Sequence, residues 1–195
     1  MSGSSATMVD GRESARPART VAAWDPLVRS VHWIVAALVL LNGAVLDEEG
    51  SAHELVGYAA LSLVGLRLLW GVVGARTARF SSFPPDPGAA LSHLLSLTER
   101  PRTVHLSHNP LGALMVYNLW ATLLALCVTG IMMTSVAFFG MDWVEEIHEL
   151  LFDWLMISVG LHVAGVLLES RRTGSSLVRA MIDGRRRVPA GLDVE

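Results

Sequence analysis

Four apolar runs, each long enough to cross a bilayer, constrain this chain more than any other feature. They extend from Pro26 to Leu46, from about Ala52 to Val73, from Pro110 to Met133 and from about Trp143 to Leu168. A spanning helix needs about 20 mostly apolar residues. Start signals agree with the runs. Asp25 and Asn109 are each followed by proline, the arrangement of an N-cap and a first helical residue. Ser51 with Glu54, and Asp142 with Glu145, have the spacing of a capping box. The expected fold is all-α, an integral membrane four-helix transmembrane bundle. With 52% hydrophobic and 17% charged residues, the composition points to the same class.

The runs divide the chain. Residues 1–23 are polar, rich in Ser, Arg and Ala, and hold no apolar core. They read as a disordered tail, not as a cleaved signal peptide. Residues 24–170 form the membrane domain and 171–195 a basic tail. The one long connection, Gly74 to His108, starts with a Ser-Ser-Phe-Pro-Pro-Asp-Pro stretch that cannot be helical. Its Ala89–Leu97 stretch has the pattern of a short amphipathic helix on the membrane surface.

Charge sets the orientation. Every basic residue is Arg, and the signs are segregated although the net charge is only -3. Arg12, Arg16, Arg19 and Arg29 precede or open the first run. Arg76, Arg79, Arg100 and Arg102 lie in the long connection, and Arg171, Arg172, Arg179, Arg185, Arg186 and Arg187 in the tail. The two short connections have no Arg; they carry Asp47, Glu48 and Glu49, and Asp142, Glu145 and Glu146. The positive-inside rule then places both termini in the cytoplasm. Trp24, Trp33, Trp70, Trp143 and Trp154 fall at or near helix ends, as an aromatic belt requires.

The single cysteine, Cys127, forms no internal disulfide or zinc cluster, and without a C-x-x-C-H motif a covalent c-type haem is excluded. The histidines carry the chemistry. An ionisable or ligating side chain in a span is costly and marks function by default. Of seven histidines, four lie in spans. His32 is about 9 Å into the first helix, near the cytoplasmic face, and His162 is at matching depth near the end of the fourth. His53 and His148 lie near the other face. His148 and His162 are 14 residues apart, within about 40° of one helix face and about 21 Å apart in rise. A lone histidine in a span is often only a hydrogen-bonding helix contact. Two level pairs sharing one stripe suit two stacked bis-histidine haems in a bundle, His32 with His162 and His53 with His148.

Gly57, Gly65, Gly130, Gly160 and Gly165 would leave room for flat macrocycles or close helices. Arg67, near the cytoplasmic face, needs an anion; a haem propionate competes with snorkelling to lipid phosphate. His108 could meet the same propionates or be a surface residue, and His93 and His105 read as interfacial loop residues.

Several motifs, in order, resemble the bacterial cytochrome b561 family. They are Trp24-Asp25-Pro26-Leu27-Val28-Arg29 with Val31-His32-Trp33, His53-Glu54-Leu55-Val56-Gly57-Tyr58, and Arg67-Leu68-Leu69-Trp70-Gly71. His108-Asn109-Pro110-Leu111-Gly112-Ala113-Leu114-Met115, Glu146-Ile147-His148-Glu149 and Leu161-His162-Val163-Ala164-Gly165-Val166 continue the series. The resemblance covers roughly Ala23 to Arg187 and implies the same four ligands. It implies a di-haem cytochrome b linking the membrane quinone pool to a periplasmic partner, a c-type cytochrome or a hydrogenase-like enzyme. The Asn-Pro-Leu-Gly segment is closer to the partner-linked subunits.

The expected protein is therefore an electron-transfer component of the bacterial inner membrane. Its cofactors are two non-covalent haems b, quinone is a substrate, and no nucleic-acid partner is expected. The acidic outer connections would suit a basic periplasmic cytochrome. Their lack of Arg and Lys counts against a rival, the stand-alone superoxide-to-quinone oxidoreductase. A second rival is a non-redox membrane anchor. The first three runs hold no Asp or Glu at mid-span, and direct proton transport is disfavoured. Monomer and homodimer are both compatible with the sequence.

Overall fold

The structure, a computed structural model, describes residues 17–48, 50–99, 103–105 and 107–194. Residues 1–16 of the expected tail, and Glu49, Arg100 and Arg102 of the charge argument, lie outside the described residues.

Among the described residues, four helices are long and apolar enough to cross a membrane: α1 (Pro26–Ala44), α2 (Ser51–Val73), α4 (Pro110–Thr134) and α5 (Asp142–Thr173). Without water in the bilayer, a spanning backbone must satisfy its own hydrogen bonds, and the helix does so within one segment. In each apolar window only 11–22% of residues are buried inside the protein. Leu55, Leu69, Val72, Val73 and Leu150 are strongly exposed around the bundle. Such a surface is compatible with lipid and not with water. The fold is an all-α membrane four-helix bundle.

Caps explain two helix starts. The Asp25 carboxylate accepts from the Val28 N–H at 3.0 Å, and the Asn109 side chain accepts from the Gly112 N–H at 2.7 Å. Proline follows each, where a missing N–H costs nothing. The other two expected caps are corrected. Gly50, not Ser51, is the extended N-cap of α2, because Gly50 closes a tight turn on the Asp47 carbonyl (3.0 Å) and draws Ser51 into the helix. Met141, not Asp142, caps α5 after Gly140 turns the chain with φ +72. Asp142 and Glu145 then occupy the first turn, where carboxylates favour the helix dipole.

The ends also shift. α1 closes at Ala44, two residues before the expected end. α5 runs on to Thr173, and its 32 residues span about 48 Å, more than the roughly 30 Å hydrocarbon core. The surface helix expected at Ala89–Leu97 is α3 (Pro87–Leu95), begun by Asp86, whose carboxylate accepts from the Ala89 N–H at 2.9 Å. It packs on α4.

The expected tails are not featureless at their inner ends. Strand β1 (Arg19–Ala22) pairs antiparallel with β3 (Arg185–Val188), Arg19 opposite Val188 and Ala22 opposite Arg185. Strand β2 (Thr103–Val104) pairs in parallel with β4 (Asp193–Val194). A further helix, α6 (Leu177–Asp183), leads into β3. Its C-cap, Gly184, has φ +78, and a Cβ there would lie 2.9 Å from the Trp24 carbonyl oxygen; only glycine fits. The Arg29 guanidinium donates to the Ile182 carbonyl and the Trp33 indole N–H to the Met181 carbonyl at 3.2 Å, so α6 sits against the start of α1. Arg186, 4% exposed, donates to the His105 carbonyl and ties the tail to the long connection.

Both described terminal segments and the long connection therefore meet at one end of the bundle, called here the tail end. The two short connections form the loop end. Between them, Val64, Leu123 and Leu155 form a buried apolar centre, wrapped by Val35, Val39, Leu119, Met156 and Val159.

Asp25 carries two loads: it caps α1 and its second oxygen accepts from the Trp70 indole N–H at 3.1 Å. Asp25→Ala is expected to cost about 1 kcal/mol for the cap and about 1 kcal/mol for the second bond. Thermal unfolding in detergent, with Trp70→Phe alone as the comparison, measures both.

Candidate functional site

The four span histidines meet in two pairs. The His32 ring on α1 and the His162 ring on α5 have centroids 6.3 Å apart at the tail end. His53 on α2 and His148 on α5 have the same 6.3 Å separation at the loop end. The ring planes are tilted by 50° and 57° rather than stacked, and no hydrogen bond joins the two rings of either pair. A metal–imidazole nitrogen bond is about 2 Å long, so each pair is spaced for one metal atom between its rings.

Two further observations fit a planar metal cofactor. The Nδ1 atoms of His32 and His53 are buried and have no hydrogen-bond partner, an uncommon state for buried nitrogens. Close packing joins α1 to α2, α2 to α4 and α4 to α5, leaving a wider spacing between α5 and the pair α1–α2. A Cβ added at Gly57, Gly65, Gly160 or Gly165 would meet nothing within 4 Å. At Gly130 it would lie 3.4 Å from His148 Cε1. At Gly43 it would overlap the Phe152 ring, so this glycine admits a close approach of α5 to α1. Leu155, seven residues from each α5 histidine, sits in the apolar centre that separates the two pairs.

Arg67 is 5% exposed. One arm of its guanidinium donates to the Ala78 carbonyl at 3.1 Å, its centre lies 4.9 Å from the Trp120 ring, and Nη1 is buried without a partner. His108 packs on Phe83 (4.6 Å) and Trp24 (5.0 Å), with the Ser107 hydroxyl 3.3 Å from its Nδ1. Desolvation first, then the neighbouring Arg67 charge, pushes its imidazole down to about 3; His162 and His32 are its next electrostatic neighbours. Arg67 and His108 thus gather at the tail-end pair. His93 and His105 lie away from both pairs, their centroids 6.4 Å apart, with His93 Nε2 4.0 Å from a Glu169 oxygen.

Three groupings escaped sequence reasoning. Phe80 and Phe83 fold back from the long connection onto Tyr117 and Trp120, and a Cβ at Gly71 would strike the Phe80 ring. Midway along the bundle the Asn118 amide donates to Ser158 Oγ at 2.9 Å and accepts from the Trp154 indole at 3.1 Å, joining α4 to α5. The Thr129 hydroxyl lies 2.8 Å from His148 Nδ1. A polar residue in an apolar run was the only available signal for the last two. At the loop end Asp47, Glu48, Asp142, Glu145 and Glu146 are exposed, and Glu149 and Asp153 continue the stripe along α5.

A family model described as prokaryotic cytochrome b561 matches residues 23–184. Neither the comparison with curated proteins nor that with solved structures gave a match.

One titration outside the spans has a predictable sign. Burial lowers the His93 imidazole below its usual value and outweighs the nearby Glu169 carboxylate, while Arg172 and His105 push the same way as burial. The unfolded chain takes up this proton as pH falls through about 6.5; the folded chain does so only at lower pH. Stability therefore drops on acidification through that window. His93→Gln is expected to flatten this part of the curve of melting temperature against pH; an unchanged slope would refute the assignment.

Proposed function

The chain belongs to the prokaryotic cytochrome b561 family, and from that premise we propose that it is a di-haem electron carrier linking membrane quinone to a redox partner outside the cytoplasm. Membership makes it a haem b protein of transmembrane electron transfer. The finer reading rests on one observation: two histidine pairs with equal 6.3 Å separations lie at opposite ends of one bundle.

When bound, haem b supplies a reversible one-electron iron couple. His32 and His162 would hold the iron of one haem, His53 and His148 that of the other. Arg67 has a buried nitrogen without a partner and would neutralise a propionate at the tail-end haem. His108, uncharged beside Arg67, offers that propionate a neutral hydrogen-bond donor. Val64, Leu123 and Leu155 exclude water between the two sites, which keeps the charge-transfer path in an apolar medium.

The arginine-rich tail end faces the cytoplasm under the positive-inside rule, in a bacterial inner membrane. The acidic loop end then faces outward and presents Asp47, Glu48, Asp142, Glu145 and Glu146 to a basic partner such as a c-type cytochrome, or to a hydrogenase-like enzyme. The same acidity repels an anionic substrate such as superoxide, so the partner-linked reading is preferred to a stand-alone oxidoreductase.

Reduced-minus-oxidised and pyridine haemochrome spectra of the detergent-purified protein test the ligand reading. Two b haems per chain are expected in the parent, and one in each of His53→Ala and His162→Ala. A parent with one haem would reduce the reading to the pair whose variant loses it. A colourless parent would leave only a membrane anchor.

A further inference from the structure

The two haem sites read from the histidine pairs also differ in how their histidines are partnered. At the tail end His32 Nδ1 is buried with no partner; at the loop end His53 Nδ1 is likewise unpartnered. His148 differs: Thr129 Oγ1, on the neighbouring helix α4, lies 2.8 Å from its Nδ1. Thr129 is 8% exposed, so water does not compete for this contact.

The direction of the bond follows from the hydroxyl's other neighbours. Thr129 Oγ1 donates to helix carbonyls, with Leu126 at 3.0 Å and Ala125 at 3.1 Å within reach. A hydroxyl has one proton and two lone pairs. With the proton directed at a carbonyl, a lone pair remains for the imidazole, and His148 Nδ1 must be the donor. The proton then sits on Nδ1, and Nε2 is left with a free lone pair. Gly130, the next residue, lies beside the same ring: a Cβ there would stand 3.4 Å from His148 Cε1, an ordinary contact.

We propose that Thr129 is a positioning residue for the loop-end haem, fixing the His148 tautomer and ring plane and making that imidazole a stronger donor to iron. The proposal rests on the reading of His148 as an axial ligand. A ligating histidine whose second nitrogen donates a hydrogen bond is more basic, and loss of such a partner typically costs about 10- to 100-fold in metal affinity. A more basic ligand favours ferric over ferrous iron, so Thr129 lowers the potential of one haem and leaves the other untouched.

The test is a potentiometric titration of the full-length haem protein carrying Thr129→Val, which keeps the shape and deletes the hydroxyl, beside Thr129→Ser, which keeps the hydroxyl. The expected result in Thr129→Val is a rise in one haem's midpoint only. A tenfold change in relative ferric affinity would appear as about 59 mV for one electron. The low-spin ferric EPR signal of that haem should shift with it, and Thr129→Ser should stay near the parent. If Thr129→Val instead sheds one haem, retention of both in Thr129→Ser supports the proposal, and loss in both variants overturns it in favour of packing. Unchanged midpoints in Thr129→Val overturn it too, the Leu126 carbonyl beside the ring then sufficing as acceptor. Equal shifts of both haems count equally against it. His148→Ala separates the two levels: retention of both haems there removes the ligand reading itself, whereas loss of one haem there with unshifted midpoints in Thr129→Val removes only the role of Thr129.

Discussion

Inside a bilayer no water is at hand to satisfy a polar side chain, so each one must find its partner within the protein. Four half-buried imidazoles at two depths make this constraint severe. A pair of facing rings 6.3 Å apart does not satisfy itself. On the proposed reading a metal centre would close the gap between the rings of each pair; the dense packing lies at the α4–α5 and α1–α2 seams. The Asn118–Ser158–Trp154 network illustrates the same demand met internally: each polar atom in that cluster is a partner for another, and the result is a fixed α4–α5 seam.

That seam matters because α5 supplies one histidine to each pair. Holding α5 rigidly against α4 sets both ring positions at once. α1 and α2 then each bring one histidine to a frame already fixed. The two ends differ in charge. Arg67 lies at the tail-end pair, while exposed carboxylates crowd the loop end. On the proposed two-haem reading an added electron would be stabilised near the former and destabilised near the latter, by Coulomb interactions that are strongest where water is excluded.

Sequence reading recovered what depends on the helix repeat alone. The 14-residue spacing of His148 and His162 fixes their face and rise, and the cap-then-proline signatures fix the starts of α1 and α4. It failed where geometry depends on how one helix is rotated against the next. Nothing local tells that Thr129 faces His148, or that Asn118 faces Ser158. It failed also at the tails. Arg185-Arg186-Arg187 reads as a solvated basic run, yet strand alternation buries Arg186 and exposes its neighbours. Pairing between residues 19 and 188 is beyond any window of sequence periodicity. The capping-box signals of α2 and α5 misplaced the starts by one residue, because the tight turns before them impose Gly50 and Met141 as the last extended positions.

The β1–β3 pairing makes the chain almost a closed loop. With Arg19 beside Val188, the path through the four membrane helices returns to where it began. A ring has no privileged starting point. The order of the helices along the chain is then only one of several ways to cut the same circle, and a chain joined from residue 188 to residue 19 and reopened within the long connection would trace the same bundle. The strand pair is also a clasp: it holds the start of α1 near the end of α5 from outside the membrane, across the spacing where the two helices do not pack closely on each other.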